Sequence, residues 1–379
     1  MSRQNKIIVA GHVALDLTPS FPKEGGSRRK LSDWIRPGKL VDVGKAMFSP
    51  GGCVTNTGLA LHSFGADVEL IAKIGDDAFG RQIEETYRSF GAEPHFIVSE
   101  EDTTSYTIVI APPGCDRCFL HDSAANHSFT SADLDYTEIA KAQFFHFGYP
   151  QIMRGFYRNG AAELIKMYRK VKELGLVTSM DAVAIDANGD AAKEDWKQIL
   201  TEVLPYVDFF VPSIEELCFM LDRGRYEEWQ ERAGDEDVCL HLSLEQDIKP
   251  VAQQALALGC RAILLKCGAA GMYLATSGEA AMQQIADCFD GTGWGSLSMF
   301  EESFLPDRIL SGTGAGDTSI AAFLYGLANG FSPKACLEIA AGTGASCITE
   351  YDALTGLLPI DKLQEKIAGG WEKQHFIQP

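Results

Sequence analysis

The sequence predicts an α/β protein: a mostly parallel central sheet flanked by helices, with a small β lid. Three observations carry that reading. Short apolar runs alternate with helical patterns along most of the 379 residues, the pattern of a parallel sheet covered by helices. Two glycine turns, at Gly51-Gly52 and at Gly312-Thr313-Gly314-Ala315-Gly316, each open a helix-like stretch. One polar segment, residues 18–48, lies between the first strand and the first helix and is too long for an ordinary connection; it reads as the lid. Residues 1–379 form a single domain on this reading, since no repeat and no clean boundary is found.

The elements follow in order. Residues 6–10 read as a strand ending in Gly11, and 54–64 as a helix of small residues. Residues 68–71 are a strand and 79–90 a helix. Residues 104–111 and 118–122 form two strands around Pro112-Pro113-Gly114, a turn composition. A strand over 143–147, a helix over 161–173, a strand over 177–180, a helix over 196–203 and a strand over 209–211 continue the alternation. Residues 263–266 and 271–275 are strands, and 320–328 and 333–346 helices. Segments 221–250 and 280–306 are acidic or rich in Gly and Ser with weak periodicity, and read as insertions.

The composition is 46% hydrophobic and 22% charged, that of a globular enzyme with a large core. A net charge of -19 disfavours nucleic acid and anionic membrane surfaces as partners. No N-terminal signal and no apolar run of membrane-span length is found. The ten cysteines are scattered, as in reduced cytoplasmic proteins. Cys115-Asp-Arg-Cys118 lacks the second ligand pair of a zinc site and reads as two thiols in a hairpin turn.

Chemistry concentrates at Ser311-Gly312-Thr313-Gly314-Ala315-Gly316-Asp317. Glycines let backbone N–H groups converge, and the helix that follows adds unpaired donors and a partial positive charge, which suits phosphate. Asp317 repels such a ligand unless it has a task, and accepting a proton from an attacking hydroxyl is one. A helix cap reads the same residue equally well. At the other turn, Gly51 and Gly52 permit close approach, and Asn56 offers a donor and an acceptor to hydroxyls; a close helix–sheet contact is the alternative. Asp16 follows the first strand, where open α/β sheets place ligands. It could bind two sugar hydroxyls or cap its loop.

Together these motifs resemble those of the ribokinase family, the PfkB-type carbohydrate kinases: Gly51-Gly52 through Gly75-Asp76-Asp77-Ala78-Phe79-Gly80, then Ser311 through Asp317 and its helix. The resemblance spans nearly the whole chain. It implies the three-layer ribokinase-like fold and ATP-dependent transfer of a phosphoryl group to a hydroxymethyl group of a sugar or nucleoside, with Mg²⁺. It implies Asp317 as base and Gly314, Ala315 and Gly316 as the anion hole. Asp16, Gly51, Gly52 and Asn56 would face the sugar beneath a lid held by residues 18–48. Lys266, Gly268, Gly271 and Thr313 would lie on the nucleotide side, residues 340–349 near the adenine, and Glu216 near the metal. Two departures matter. Ser311 stands where relatives carry a cation-binding Asp, which implies little response to potassium. Ser213 replaces the Asn of the family's Asn-x-x-Glu motif at Ser213-Ile-Glu-Glu216, which implies a weaker or rearranged metal site.

A nucleoside kinase of the same fold is the close alternative, with Phe21, Trp34 and Phe48 available for stacking. A catalytically weak sugar-binding regulatory protein is the other, motivated by Ser213, Ser311 and Gly312. A dinucleotide enzyme is disfavoured because no G-x-G-x-x-G follows the first strand. Arg117, at the hairpin, faces ligand or solvent. The apolar residues of segment 18–48 need a cover; the segment's own active-site cleft is one candidate and the lid of a second subunit the other, and a homodimer joined through the lid is favoured.

Overall fold

The computed structural model describes residues 5–22, 30–113 and 118–376. Arg117, Cys115 and part of the 18–48 segment lie outside the described residues. Among the described residues, thirteen strands form two sheets. They are β1 (Ile7–Gly11), β2 (Ala14–Pro19), β3 (Ala46–Gly51), β4 (Val68–Gly75), β5 (His95–Ser99), β6 (Tyr106–Ile110), β7 (Cys118–Asp122), β8 (Phe144–Gly148), β9 (Val177–Met180), β10 (Phe209–Phe210), β11 (Ala262–Lys266), β12 (Gly271–Thr276) and β13 (Ser298–Glu302).

Nine strands make the central sheet in the order β13-β12-β11-β10-β9-β8-β1-β4-β5. Pairing is parallel from β11 to β5 and antiparallel across β11-β12 and β12-β13. The residues of β1 show why it is central. Ile8 and Ala10 enter one apolar core and Ile7 and Val9 the other, because successive side chains alternate faces and both faces are covered. Helices Arg154–Glu173, Trp196–Val203, Ile214–Leu221 and Lys249–Ala257 bury residues in the first core. Helices Cys53–Ser63, Ala315–Ala328 and Pro333–Cys347 cover the second. The result is three layers.

The second sheet has the order β3-β2-β6-β7 and corrects the sequence reading of the lid. Among its described residues, segment 18–48 contributes the ends of β2 and β3 and the short helix Leu31–Trp34, and the hairpin β6–β7 supplies the other half of the sheet. Asp16 is therefore a mid-strand residue of the small sheet, opposite Ser49 and Thr107, rather than a loop residue. The 221–250 segment is also no insertion. It carries helix Arg223–Ala233 and buries Trp229, Val238, Leu242 and Ile248 in the first core; its glutamates, exposed at Glu227, Glu228 and Glu231, obscure the apolar spacing. Segment 280–306 supplies the edge strand β13 and the buried Phe289 and Trp294. The helix expected over 161–173 is the second part of Arg154–Glu173, separated from a short first part by non-helical backbone at Arg158, Asn159, Gly160 and Ala161. Among the described residues, every cysteine is a free thiol and no helix is long and apolar enough to cross a membrane.

Candidate active site

The two glycine turns meet. Gly314 caps helix Ala315–Ala328 with φ +74°, a left-handed conformation that glycine adopts at no steric cost. Ala315 N–H donates weakly to the Gly312 carbonyl at 3.4 Å, the N–H groups that follow lack acceptors within the first turn, and Asp317 falls in that turn. Asn56, one turn into the helix that Gly52 caps, donates from Nδ2 to Asp317 Oδ2 at 2.8 Å. Thr57 Oγ1 donates to the Asp317 carbonyl at 3.2 Å. Residues 261 positions apart in sequence thus share one carboxylate.

Its other oxygen is held by a residue the sequence did not single out. Tyr149 OH donates to Asp317 Oδ1 at 2.6 Å. Tyr149 follows directly after β8, at the same strand-end level as Gly11 and His12, and that position is the signal that could have found it.

Asp16 and Asn56 line a cleft of about 820 Å³ together with Thr18, Ser311, Gly312 and Thr313. A Cβ at Gly51 would overlap the Asp16 carboxylate. Burial pushes the Asp16 carboxyl up to about 6, against a hydrogen bond from Thr107. None of the described residues lining this cleft is Lys or Arg.

Lys266 lies deeper than the sequence suggests. Its Nζ donates to Asp181 Oδ1 at 2.7 Å, with Asp181 fully buried at the end of β9. Asp181 Oδ2 has no hydrogen-bond partner. Burial raises the Asp181 carboxyl while Lys266 pulls it down, and the charges of Asp317 and Glu216 add to the rise. The Lys266 chain passes beneath Gly316, where a Cβ would stand 3.7 Å from Nζ, so the ammonium backs the glycine turn. Glu216 Oε2 accepts the Ser213 N–H at 2.7 Å, and Ser213 Oγ accepts the Glu216 N–H at 3.1 Å. The serine that departs from the family pattern thus builds a capping box. Gly268 and Gly271 stand apart from the cleft: Gly268 packs beside Asp237 and Cys239, and Gly271 against the Glu301 carbonyl.

Comparison with known proteins defines the class of enzyme. Residues 27–360 match the pfkB family carbohydrate kinases, and the chain belongs to that family as a carbohydrate kinase. It is 22% identical over 342 residues to fructokinase-2 of Oryza sativa subsp. japonica, covering 87% of this chain and 88% of that one. It is 19% identical over 300 residues to an uncharacterized sugar kinase of Archaeoglobus fulgidus, covering 79% and 98%. The fold matches the crystal structure of fructokinase with bound ATP from Xylella fastidiosa at a TM-score of 0.70, with 16% identity and coverage of 96% and 98%.

Proposed function

We propose that this kinase transfers the γ-phosphoryl group of ATP to a hydroxymethyl group of a neutral sugar or polyol, with Asp317 as the proton acceptor. The observation that carries it is the Asn56–Asp317 bond, which joins a hydroxyl-binding residue to a carboxylate in the first turn of an anion-binding helix. As the acceptor oxygen bonds to phosphorus, the bond from phosphorus to the β,γ-bridging oxygen breaks and its electron pair leaves with ADP. The acceptor proton passes to Asp317. The N–H groups at Gly314, Ala315 and Gly316 and the Lys266 ammonium stabilise charge on the equatorial oxygens. Around Lys266 stand three carboxylates, Asp181, Glu216 and Asp317, one with an unpartnered oxygen. This excess of hard oxygen donors fits Mg²⁺; Glu216 and Asp181 would hold it, where it supplies positive charge to the phosphates.

Neutral acceptors follow from a cleft whose described residues carry Asp16 and no cation. An ADP-release screen over pentoses, hexoses, sugar acids, sugar phosphates and nucleosides tests the reading. Turnover is expected on a neutral sugar, and a sugar phosphate as the sole substrate would refute it. Met47, Phe48, Phe119 and Leu120 are each more than half exposed on the small sheet, which supports a homodimer joined through the lid; sedimentation at twice the chain mass would bear this out, and a monomer would refute it.

Asp16 gives this site a pH dependence. Its ionised carboxylate accepts two hydroxyl donors and its protonated form accepts fewer. kcat/KM for the acceptor is therefore expected to rise with pH through about 6, and Asp16→Asn should flatten that limb. For stability the sign is opposite. The unfolded chain releases this proton near 3.8 and the folded protein near 6, so Asp16 favours folding below that window and loses its contribution as pH rises through it. An acceptor profile flat across this range in the wild-type enzyme would remove Asp16 from the binding step.

A further inference from the structure

Asp317 presents both oxygens to side-chain donors, Asn56 at 2.8 Å and Tyr149 at 2.6 Å. Asn56 is explained by acceptor binding; Tyr149 is not. Its backbone sits at φ 67°, ψ 39°, a left-handed conformation that a bulky residue adopts only where its surroundings impose it. What imposes it is position. Tyr149 is fixed by β8 before it and Pro150 after it, with its ring 6.0 Å from that of buried His12. Burial and the nearby Asp317 and Asp181 charges push the Tyr149 phenol well above its usual range, so it remains protonated and is the donor of the pair. The side chain is only partly buried, which leaves it room to yield.

We propose that Tyr149 caps the base: its hydroxyl occupies Asp317 Oδ1 until an acceptor hydroxyl displaces it, and so denies that oxygen to water. The proposal rests on reading Asp317 as the base. Without a cap, a water on Oδ1 is the smallest competing acceptor. Its oxygen would bond to the γ-phosphorus, the electron pair of the broken bridging bond would leave with ADP, and its proton would pass to Asp317, giving ADP and inorganic phosphate. A phenol already donating to Oδ1 takes up one of that oxygen's lone pairs and lowers its basicity, so a water gains less from it. A sugar brings further hydroxyls to Asp16 and Asn56, and those contacts offset the bond it breaks, which a lone water cannot do. Tyr149 is thus a positioning residue that couples use of the base to presence of the acceptor.

The test is Tyr149→Phe in the full chain with ATP and Mg²⁺, measuring ADP release without acceptor. Release is expected to rise at least about tenfold, a part of the roughly 100- to 10,000-fold that a positioned base supplies. The ATP KM should stay unchanged, and adding Asp317→Asn should return release to background. Unchanged or lower release from a variant with the wild-type melting temperature overturns the cap, and leaves the base reading intact if Asp317→Asn alone abolishes acceptor phosphorylation. Should Tyr149→Phe not fold, the wild-type protein decides the matter. Acceptor binding should produce a tyrosine ultraviolet difference spectrum as the phenol loses its carboxylate partner, and absence of that signal at saturating acceptor overturns the proposal.

Discussion

Asp317→Asn is expected to lower turnover by roughly 100- to 10,000-fold, the usual range for loss of a general base, with fold and both substrates' binding retained. The amide keeps the shape of the carboxylate, but only one of its two terminal atoms accepts hydrogen bonds. In this site, however, it meets two donors, Asn56 Nδ2 and Tyr149 OH. Its oxygen satisfies one and its NH₂ faces the other, so some local rearrangement is expected alongside the lost proton acceptor. The KM values separate the two effects. A base acts on the transition state, so kcat falls while the KM for ATP barely moves. Turnover within a fewfold of wild type would remove Asp317 from the chemistry.

The second large effect concerns Lys266. Lys266→Met is expected to destabilise the protein by about 3–5 kcal/mol, the cost of leaving one member of a buried ion pair alone. Asp181 is fully buried, and one of its oxygens already lacks a partner. Without the ammonium its carboxyl rises further, through burial and the charges of Asp317 and Glu216. The unfolded chain gives up this proton near 3.9, and the folded variant holds it to higher pH. Stability of Lys266→Met should therefore fall as pH rises above that value, more steeply than in wild type. Adding Asp181→Asn removes the lone charge and should recover much of the loss. Urea denaturation at several pH values checks this; a pH-independent loss that Asp181→Asn fails to reduce would show that Lys266 acts through packing of its alkyl chain.

Much of the fold was legible because its strands are short and buried on both faces. β1 and β11 stand out as Ile7–Gly11 and Ala262–Lys266, where apolar runs end at punctuation. β2, β3 and β13 were not legible. They are partly exposed, and Asp16, Pro50 and Glu301 interrupt their apolar pattern. The small sheet was legible only in part for the same reason, since half of it comes from a hairpin almost 60 residues downstream. In the site, Asp317 and Asn56 were found because glycine turns mark their surroundings. Tyr149 and Asp181 carry no local mark. Each simply follows a strand, and only the adjacency of parallel strand ends brings them to Asp317 and Lys266. Gly271 has a packing reason of its own, since a Cβ there would overlap the Glu301 carbonyl, whereas Gly268 meets only the side chains of Asp237 and Cys239.

The central claim is transfer to a hydroxymethyl group, and proton-coupled ³¹P NMR of the product tests it most directly. The acceptor that gives the highest ADP release is incubated with ATP and enzyme, and the new phosphorus resonance is recorded. A phosphomonoester split into a triplet by the two protons of a CH₂–O–P group is the predicted result. A doublet from a ring CH–O–P group, or inorganic phosphate alone, would contradict it.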